Sequence, residues 1–205
     1  MTKFVIIGLS GKRGSGKDAL SKKLYPFGWE RYSFADELKR KIREEFGLTV
    51  EQTDGDLKEV PTKYMNEEGK YLTPRDIMTL CGQYYRAIDP LYWVKQVFKR
   101  LHETSFQTLN PIVQTRKIVI TDVRFPNEVL CLAKQGGKII RINRPQELNI
   151  YKKPLNDFSE TQLDNHTFDY VIPAEKNVDF ADLEREARLI DEMFKHEARE
   201  VDFNL

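Results

Sequence analysis

Three glycines and two lysines fall close together near the start of the chain, in the heptapeptide from Gly11 to Lys17 (GKRGSGK). The pattern is G-x-x-x-x-G-K, placed between an apolar run and a helix-forming segment. Glycines let successive backbone N–H groups turn inward to form a nest for anionic oxygens, and a helix N-terminus adds partial positive charge. The heptapeptide therefore predicts a phosphate-binding loop, with a plain glycine turn as the alternative. Its glycine order, G-x-x-G-x-G, does not fit a dinucleotide fingerprint.

Two acidic residues are candidates for Mg²⁺ ligands. Asp18 stands where such loops usually carry Ser or Thr, and a carboxylate beside a triphosphate repels it unless a cation lies between them. Its alternative role is to complement the helix dipole. Asp122 ends an apolar run, at the sheet edge where ligands bind, and Arg124 follows within reach of a transferring phosphoryl group. The alternative for this second pair is a turn aspartate beside a surface arginine.

A helix that begins at Thr73-Pro74 carries a second cationic candidate. At about 100° per residue, one face of this helix combines two arginines with small residues: Arg75, Thr79, Gly82 and Arg86. The small residues would leave room for a ligand, and a first-turn arginine opposes the helix dipole. The other face is apolar and is expected to be buried: Ile77, Leu80, Cys81 and Tyr84. Two solvated arginines are the alternative.

Strand-like and helix-like segments alternate along the chain. The predicted strands are 4–9, 30–34, 117–121, 138–142 and 170–172. The predicted helices are 17–24, 36–46, one from Pro74, one from Asp89-Pro90, 126–135 and 179–196. This order predicts an α/β fold in three layers, with a mainly parallel five-stranded sheet and helices on both faces. Two long polar segments, 48–72 and 144–166, are expected to be flaps on a single domain spanning 1–205.

Composition excludes several classes of protein. The 205 residues include 33 Lys and Arg against 32 Asp and Glu, a formal net charge of +1. This balance argues against a polybasic nucleic-acid or membrane binder. The two cysteines and three histidines have no metal-ligand spacing. The N-terminal apolar run is too short for a signal peptide, and no run reaches the ~20 residues needed to span a bilayer. A cytoplasmic enzyme or binding protein is expected.

Motifs along nearly the whole chain are similar to one family. They are Gly16-Lys17-Asp18, Ser33-Phe34-Ala35-Asp36-x-x-Lys39, Gly55-Asp56-Leu57-Lys58-Glu59, Thr73-Pro74-Arg75, Leu80-x-Gly82, Arg86, Asp89-Pro90-x-x-Trp93-Val94, Thr121-Asp122-Val123-Arg124-Phe125-Pro126-Asn127-Glu128, Gly136-Gly137-x-x-Ile140-Arg141-Ile142-x-Arg144-Pro145, Ser159-Glu160-Thr161 and Asp169-Tyr170-Val171-Ile172. Each motif is weak alone, but their order and spacing are specific. In this the chain resembles bacteriophage-type deoxynucleoside monophosphate kinases of the P-loop kinase superfamily.

The resemblance implies a P-loop kinase fold and transfer of the γ-phosphoryl group of ATP, with Mg²⁺, to a deoxynucleoside 5′-monophosphate. It implies an acceptor-binding segment at about 36–93 and a lid-like segment at about 144–166. The implied ATP-binding residues are Gly11, Lys12, Arg13, Gly14, Ser15, Gly16, Lys17, Asp18, Ala19 and Arg144. The implied acceptor-side residues are Asp36, Lys39, Lys58, Arg75, Arg86, Trp93, Arg124 and Glu160. Lys17, Asp122 and Arg124 are the implied catalytic residues, and Asp18 and Asp122 the implied Mg²⁺ ligands.

The sequence departs from the family pattern at two positions. Ala19 stands where similar kinases often have Thr, and Gln83 replaces another Thr, so fine substrate contacts differ. Two other functions stay open: a P-loop kinase for another phosphorylated acceptor, such as phosphomevalonate, and a nucleotide-gated switch that only hydrolyses ATP. The expected partners are small nucleotides, and the expected location is the cytoplasm, that of the host cell if the protein is viral. The sequence leaves open which natural or modified bases are accepted, and whether the chain forms a homodimer.

Overall fold

The computed structural model describes residues 3–107, 115–143, 158–173 and 180–203. The strands are β1 (Lys3–Ser10), β2 (Trp29–Tyr32), β3 (Thr115–Ile120), β4 (Lys138–Ile142) and β5 (Tyr170–Ile172). The helices are α1 (Lys17–Leu24), α2 (Phe34–Phe46), α3 (Val50–Thr53), α4 (Pro74–Ile88), α5 (Tyr92–Gln107), α6 (Pro126–Lys134) and α7 (Phe180–Phe194). Short 3₁₀ turns cover Tyr25–Phe27, Asp56–Glu59 and Phe158–Glu160. Apart from the short helix α3, the helices and strands thus lie where the sequence predicted them, with ends shifted by a few residues.

The five strands form one sheet in the order β2-β3-β1-β4-β5, and every pairing among them is parallel. The central strand, β1, is buried from Phe4 to Ser10, as expected when helices cover both faces of a parallel sheet. Its neighbours β3 and β4 connect to opposite halves of the sheet. Ligands of open α/β sheets bind at such a switch point, outside the carboxyl ends of the strands. The glycine loop that is expected to bind phosphate follows β1 at this point.

The two faces of β1 pack against different helices. Val5, Ile7 and Leu9 belong to one core cluster with residues of α1 and α7. On the opposite face, Gly8 lies so close to Val123 and to Leu132 of α6 that an added Cβ would come within 3.1 Å of both side chains. The absence of a side chain at Gly8 therefore lets α6 approach the sheet. This packing confirms the predicted three layers.

One cation is buried beneath the sheet edge. The side chain of Arg116, on β3, is 6% exposed. Its guanidinium donates hydrogen bonds to both carboxylate oxygens of Glu30 on β2, at 2.8 and 2.6 Å. Further bonds to the Leu101 carbonyl and the Thr104 hydroxyl satisfy the remaining donors on that side. A bidentate pair of this kind ties β2 and β3 to the end of α5.

The chain divides into two compact units, one of residues 1–33 with 98–205 and the other of Phe34–Val97. The second unit contains the segment 36–93 to which the resemblance assigns the acceptor. Its core is formed by Ile42, Leu48 and Ile77, with partly buried residues from α2 and α4 around them. The polar segment 48–72, expected to be irregular, contains α3, which begins with a Thr49–Gln52 capping box.

The prediction of the buried face of α4 was partly wrong. Leu80 and Tyr84 are 51% and 62% exposed, whereas the buried or partly buried stripe is formed by Pro74, Ile77, Met78 and Cys81. The two stripes share Ile77 and Cys81, so spacing alone did not separate them. The expected space at Gly82 is also absent, because Gly82 is buried and an added Cβ would lie 3.5 Å from Leu38. Among the described residues, no helix has the length and apolar character needed to cross a bilayer.

Candidate active site

The loop between β1 and α1 has the conformation that phosphate binding requires. Gly11, Gly14 and Gly16 all have positive φ angles, which L-residues with side chains rarely adopt. Gly16 is the left-handed residue immediately before α1, and its carbonyl accepts the first helical hydrogen bond, from the Leu20 amide. The loop thus turns its backbone at each glycine and delivers the chain into a helix N-terminus. This backbone path is compatible with the predicted phosphate-binding loop.

Gly11 is required for a second reason, because its surroundings are crowded. A Cβ at this position would lie 2.5 Å from the Ser15 hydroxyl oxygen and 2.7 Å from the Ile142 carbonyl oxygen. Gly16, by contrast, has nothing within 4 Å of such a Cβ. Gly11 therefore serves both conformation and close packing against β4, whereas Gly16 serves conformation alone.

Lys17 folds back over the loop. Its ammonium donates hydrogen bonds to the carbonyls of Gly11 and Lys12, at 2.5 and 3.0 Å. Burial and the nearby Arg124 guanidinium lower the pKa of Lys17 from 10.5 to about 8, against the opposing effect of nearby carboxylates. Those carboxylates are Glu160, Asp18 and Asp122. A partly desolvated ammonium at the mouth of a loop is well placed to be neutralised by a phosphate.

Arg124 and the loop bind the same carboxylate. The guanidinium of Arg124 donates a hydrogen bond of 2.5 Å to one oxygen of Glu160, and another of 3.0 Å to the Ser159 hydroxyl. The second oxygen of Glu160 accepts the backbone N–H of Arg13, at 2.7 Å. The Glu160 side chain is only 7% exposed. The structure therefore places Glu160, which the resemblance assigned to the acceptor side, against the glycine loop.

The two predicted Mg²⁺ ligands both act electrostatically on Lys17. Asp18 is the more open, with a side chain 79% exposed and an oxygen 3.8 Å from the Arg31 guanidinium. Asp122 follows β3 and accepts a hydrogen bond of 3.3 Å from the Ser33 hydroxyl. No group of three or more possible ligands occurs among the residues that the structure describes. Two carboxylates still fit Mg²⁺, which is usually held by one or two carboxylates with waters and substrate phosphates.

Two of the predicted acceptor-side cations in the second unit form ion pairs with carboxylates. Lys39 pairs with Asp54 at 2.7 Å and with Asp36 at 3.8 Å. Arg75 forms a short ion pair with Glu59. These pairs are at least partly exposed, so they cost little to exchange for contacts with an anionic ligand.

Three other predicted residues have different environments. Lys58 lies in the 3₁₀ turn Asp56–Glu59. Arg86 donates a hydrogen bond to the Gly82 carbonyl, at 3.4 Å. Trp93 is 2% exposed and donates its indole N–H to the same carbonyl, at 3.3 Å. Because the indole is buried, the ring of Trp93 is not accessible to a nucleotide base. Its hydrogen bond to the Gly82 carbonyl supports α4 instead.

Sequence reasoning missed several contacts of the loop. Asp164 pairs with Lys12 at 3.1 Å and with Arg141 at 2.9 Å, tying the loop to β4. The partners of the two metal candidates, Arg31 and Ser33, were not identified either. Ser33 opens the conspicuous Ser-Phe-Ala-Asp motif, which was the one available signal. Arg144, and the part of the lid-like segment from 144 to 157, lie outside the described residues.

A parallel five-stranded sheet with helices on both faces, and a glycine loop and lysine after its central strand, constitutes a P-loop kinase fold. No family model matches the chain. It aligns with a shikimate kinase of Aquifex aeolicus (TM-score 0.47, 17% identity, 92% of this chain and 97% of that one). It also aligns with a dephospho-CoA kinase of Campylobacter jejuni (TM-score 0.46, 18% identity, 94% and 98%).

A closer relative in sequence is a protein of Acanthamoeba polyphaga mimivirus that carries the provisional name deoxynucleotide monophosphate kinase. It is 33% identical to the chain over 150 residues, which cover 69% of this chain and 75% of the viral protein. The chain therefore belongs to the deoxynucleotide monophosphate kinase family.

Proposed function

We propose that the chain transfers the γ-phosphoryl group of ATP to a deoxynucleoside 5′-monophosphate, giving the diphosphate and ADP. The observation that carries this proposal is the convergence of a loop amide (Arg13) and the Arg124 guanidinium on one anionic group beside the Lys17 ammonium. Phosphoryl transfer needs such positioning and charge neutralisation more than covalent chemistry. The name of the viral relative supports the choice of acceptor.

On the ATP side, we assign the backbone amides of Gly11–Gly16 to the phosphates and Lys17 to the β- and γ-phosphates. Ala19 and Arg144 complete the proposed nucleotide-binding set. Arg124 would contact the transferring group, where its guanidinium can stabilise charge on the equatorial oxygens. Because Lys17 already lies over the loop, it needs only to exchange carbonyl partners for phosphate oxygens.

Asp18 and Asp122 would hold Mg²⁺. When bound, Mg²⁺ neutralises charge on the phosphates and helps to orient them. The hydrogen bond from Ser33 fixes one rotamer of Asp122, so this carboxylate is oriented before any ligand arrives. Asp18, which is largely exposed, keeps room for a water molecule between its oxygens and the ion.

On the acceptor side, we assign Lys39, Lys58, Arg75 and Arg86 to the phosphate of the monophosphate, with Asp36 positioning Lys39. Arginine matches phosphate oxygens in a bidentate geometry, and lysine supplies a mobile point charge. Trp93 supports this set from the core. The identity of the accepted base follows from the shape of the acceptor pocket and is the quantity to measure.

The test is a coupled assay of ADP formation with dAMP, dGMP, dCMP, dTMP and modified dCMPs, each against a reaction without acceptor. The expected result is ADP formation that depends on a deoxynucleotide. ADP formation that ignores every acceptor would favour the nucleotide-gated switch, and activity with phosphomevalonate alone would favour the other kinase.

Lys17→Ala is expected to lower kcat by on the order of 10²–10³, by analogy with removal of an oxyanion donor. Lys22→Ala is the matched control, because Lys22 lies on the exposed side of the same helix. Near-normal turnover of the Lys17 variant would reject the assigned contact with the phosphates.

A further inference from the structure

Glu160 makes the contacts that a phosphate group would make. One of its oxygens accepts from the Arg13 amide of the loop, and the other accepts from the Arg124 guanidinium. A backbone N–H of a glycine loop and a guanidinium are two donors that recognise phosphate in proteins. The bond from the Arg13 amide is 2.7 Å long, at the short end of the range for an N–H that donates to a carboxylate, and the bond from Arg124 is 2.5 Å long.

The carboxylate is also built into its position. Its side chain is 7% exposed, and the 3₁₀ turn Phe158–Glu160 brings it to the loop from a point 147 residues further along the chain. The hydroxyl of Ser159 accepts a second bond from Arg124, which holds the guanidinium against the turn. Asp164, four residues on, anchors the same segment to Lys12 of the loop.

Taken with the function proposed above, on which this inference rests, we propose that Glu160 is an internal competitor for the phosphate site. Its carboxylate is the anion that the loop and Arg124 bind before a nucleotide arrives, and the triphosphate displaces it. Displacement frees the Arg13 amide and the Arg124 guanidinium together. Glu160 thereby positions Arg124 in the resting protein and releases it when a polyphosphate is present.

The competition has a consequence for selectivity. A ligand must replace two charge-assisted hydrogen bonds and overcome a negative charge already at the site, which favours multiply charged chains of phosphate over a single small anion. Only protein in which Glu160 has left the site can bind the ligand. The measured affinity for any phosphate ligand is therefore the intrinsic affinity multiplied by that fraction of the protein. Removal of the charge from Glu160 should therefore tighten binding of phosphates.

The first experiment compares Glu160→Gln with wild type and with Glu184→Gln by calorimetric titration with inorganic tripolyphosphate and with ATP. Glutamine keeps the shape and one acceptor oxygen but loses the charge. Glu184 is the control, because it also pairs with a cationic side chain (Lys23, at 3.2 Å) but lies on α7. The expected result is a Kd for both ligands roughly tenfold lower in the Glu160 variant alone, with KM for ATP lowered in parallel. An unchanged or higher Kd would overturn the inference.

The second experiment uses wild-type protein and so does not depend on the folding of a variant. Hydrogen exchange is followed in peptides covering 11–18 and 158–164 with and without tripolyphosphate. Displacement predicts slower exchange in the loop and faster exchange in the segment that carries Glu160. Slower exchange in both would mean that Glu160 stays seated, which contradicts the proposal. Absence of any tripolyphosphate or ATP binding to wild type would instead refute the proposed function of the loop.

Discussion

The buried ammonium of Lys17 is expected to lower the stability of the folded protein, although the same ammonium is proposed to bind phosphates. Burial and the Arg124 guanidinium lower the pKa of Lys17 from 10.5 to about 8, so the folded protein holds this proton less tightly than the unfolded chain does. At pH 7 the linkage relation puts the cost to the folded state at about 3 kcal/mol. Removal of the charge, as in Lys17→Met, should therefore recover part of that free energy.

The sign of the pH dependence follows from the same shift. The unfolded chain binds more protons at Lys17 between about pH 8 and 10.5, so the stability of wild type rises with pH across that window. At pH 9.5 the remaining cost is roughly 1 kcal/mol. The advantage of Lys17→Met over wild type should thus shrink by about 2 kcal/mol between pH 7 and pH 9.5.

The assay is urea denaturation of both proteins at the two pH values, in metal-free buffer without nucleotide. Other groups titrate equally in both proteins and cancel from the difference. The carbonyls of Gly11 and Lys12 lose their donor in the variant, which costs stability but does so equally at both pH values. A difference between the proteins that stays constant with pH would refute the buried position of the ammonium.

Three further predictions concern single sites. Gly11→Ala should weaken ATP binding about tenfold or more, because its Cβ meets the backbone. Gly28→Ala, also at positive φ but in open space, should cost only about 1–2 kcal/mol of stability; equal ATP titrations for the two variants would contradict the crowding argument. Arg116→Met should lower the free energy of unfolding by about 1–3 kcal/mol in urea, since it removes the hydrogen bonds of a buried guanidinium, while Glu30 is exposed enough to stay hydrated. Asp18→Ala should raise the Mg²⁺ concentration needed for half-maximal activity, and an unchanged titration would remove Asp18 from the metal site.

Much of the fold could be predicted because its signals are local. Every strand except β2 contains a short apolar run, and β4 was predicted with the bounds that the structure gives, Lys138–Ile142. The helix after Thr73 was equally clear, because its capping box lies within four residues. Local signals failed at the buried face of α4, where two apolar stripes overlap. Only packing against α2 decides between them, and that information lies more than thirty residues upstream.

The candidate site also has one part that could be predicted from local sequence and one part that could not. The loop Gly11–Lys17 could be predicted because every residue that shapes it is in one heptapeptide. The carboxylate that binds it could not, because Glu160 meets the Arg13 amide across 147 residues of chain. A glutamate in a polar segment is by itself unremarkable, and its contact depends on the path that brings 158–160 back to the end of β1. Resemblance identified Glu160 as a site residue without locating its contact.

The balance of charges gives the separate contacts a common physical meaning. A formal net charge of +1 means that the chain has almost as many anionic as cationic side chains, and several of the proposed phosphate ligands already have a partner among the described residues. Lys17 is held by backbone carbonyls, Arg124 by Glu160 and Lys39 by Asp54. Binding of a nucleotide is then an exchange of partners rather than the filling of a positive field. Because each exchange returns only the difference between two similar interactions, affinity must come from several exchanges made at once, which a triphosphate provides and a single phosphate ion does not.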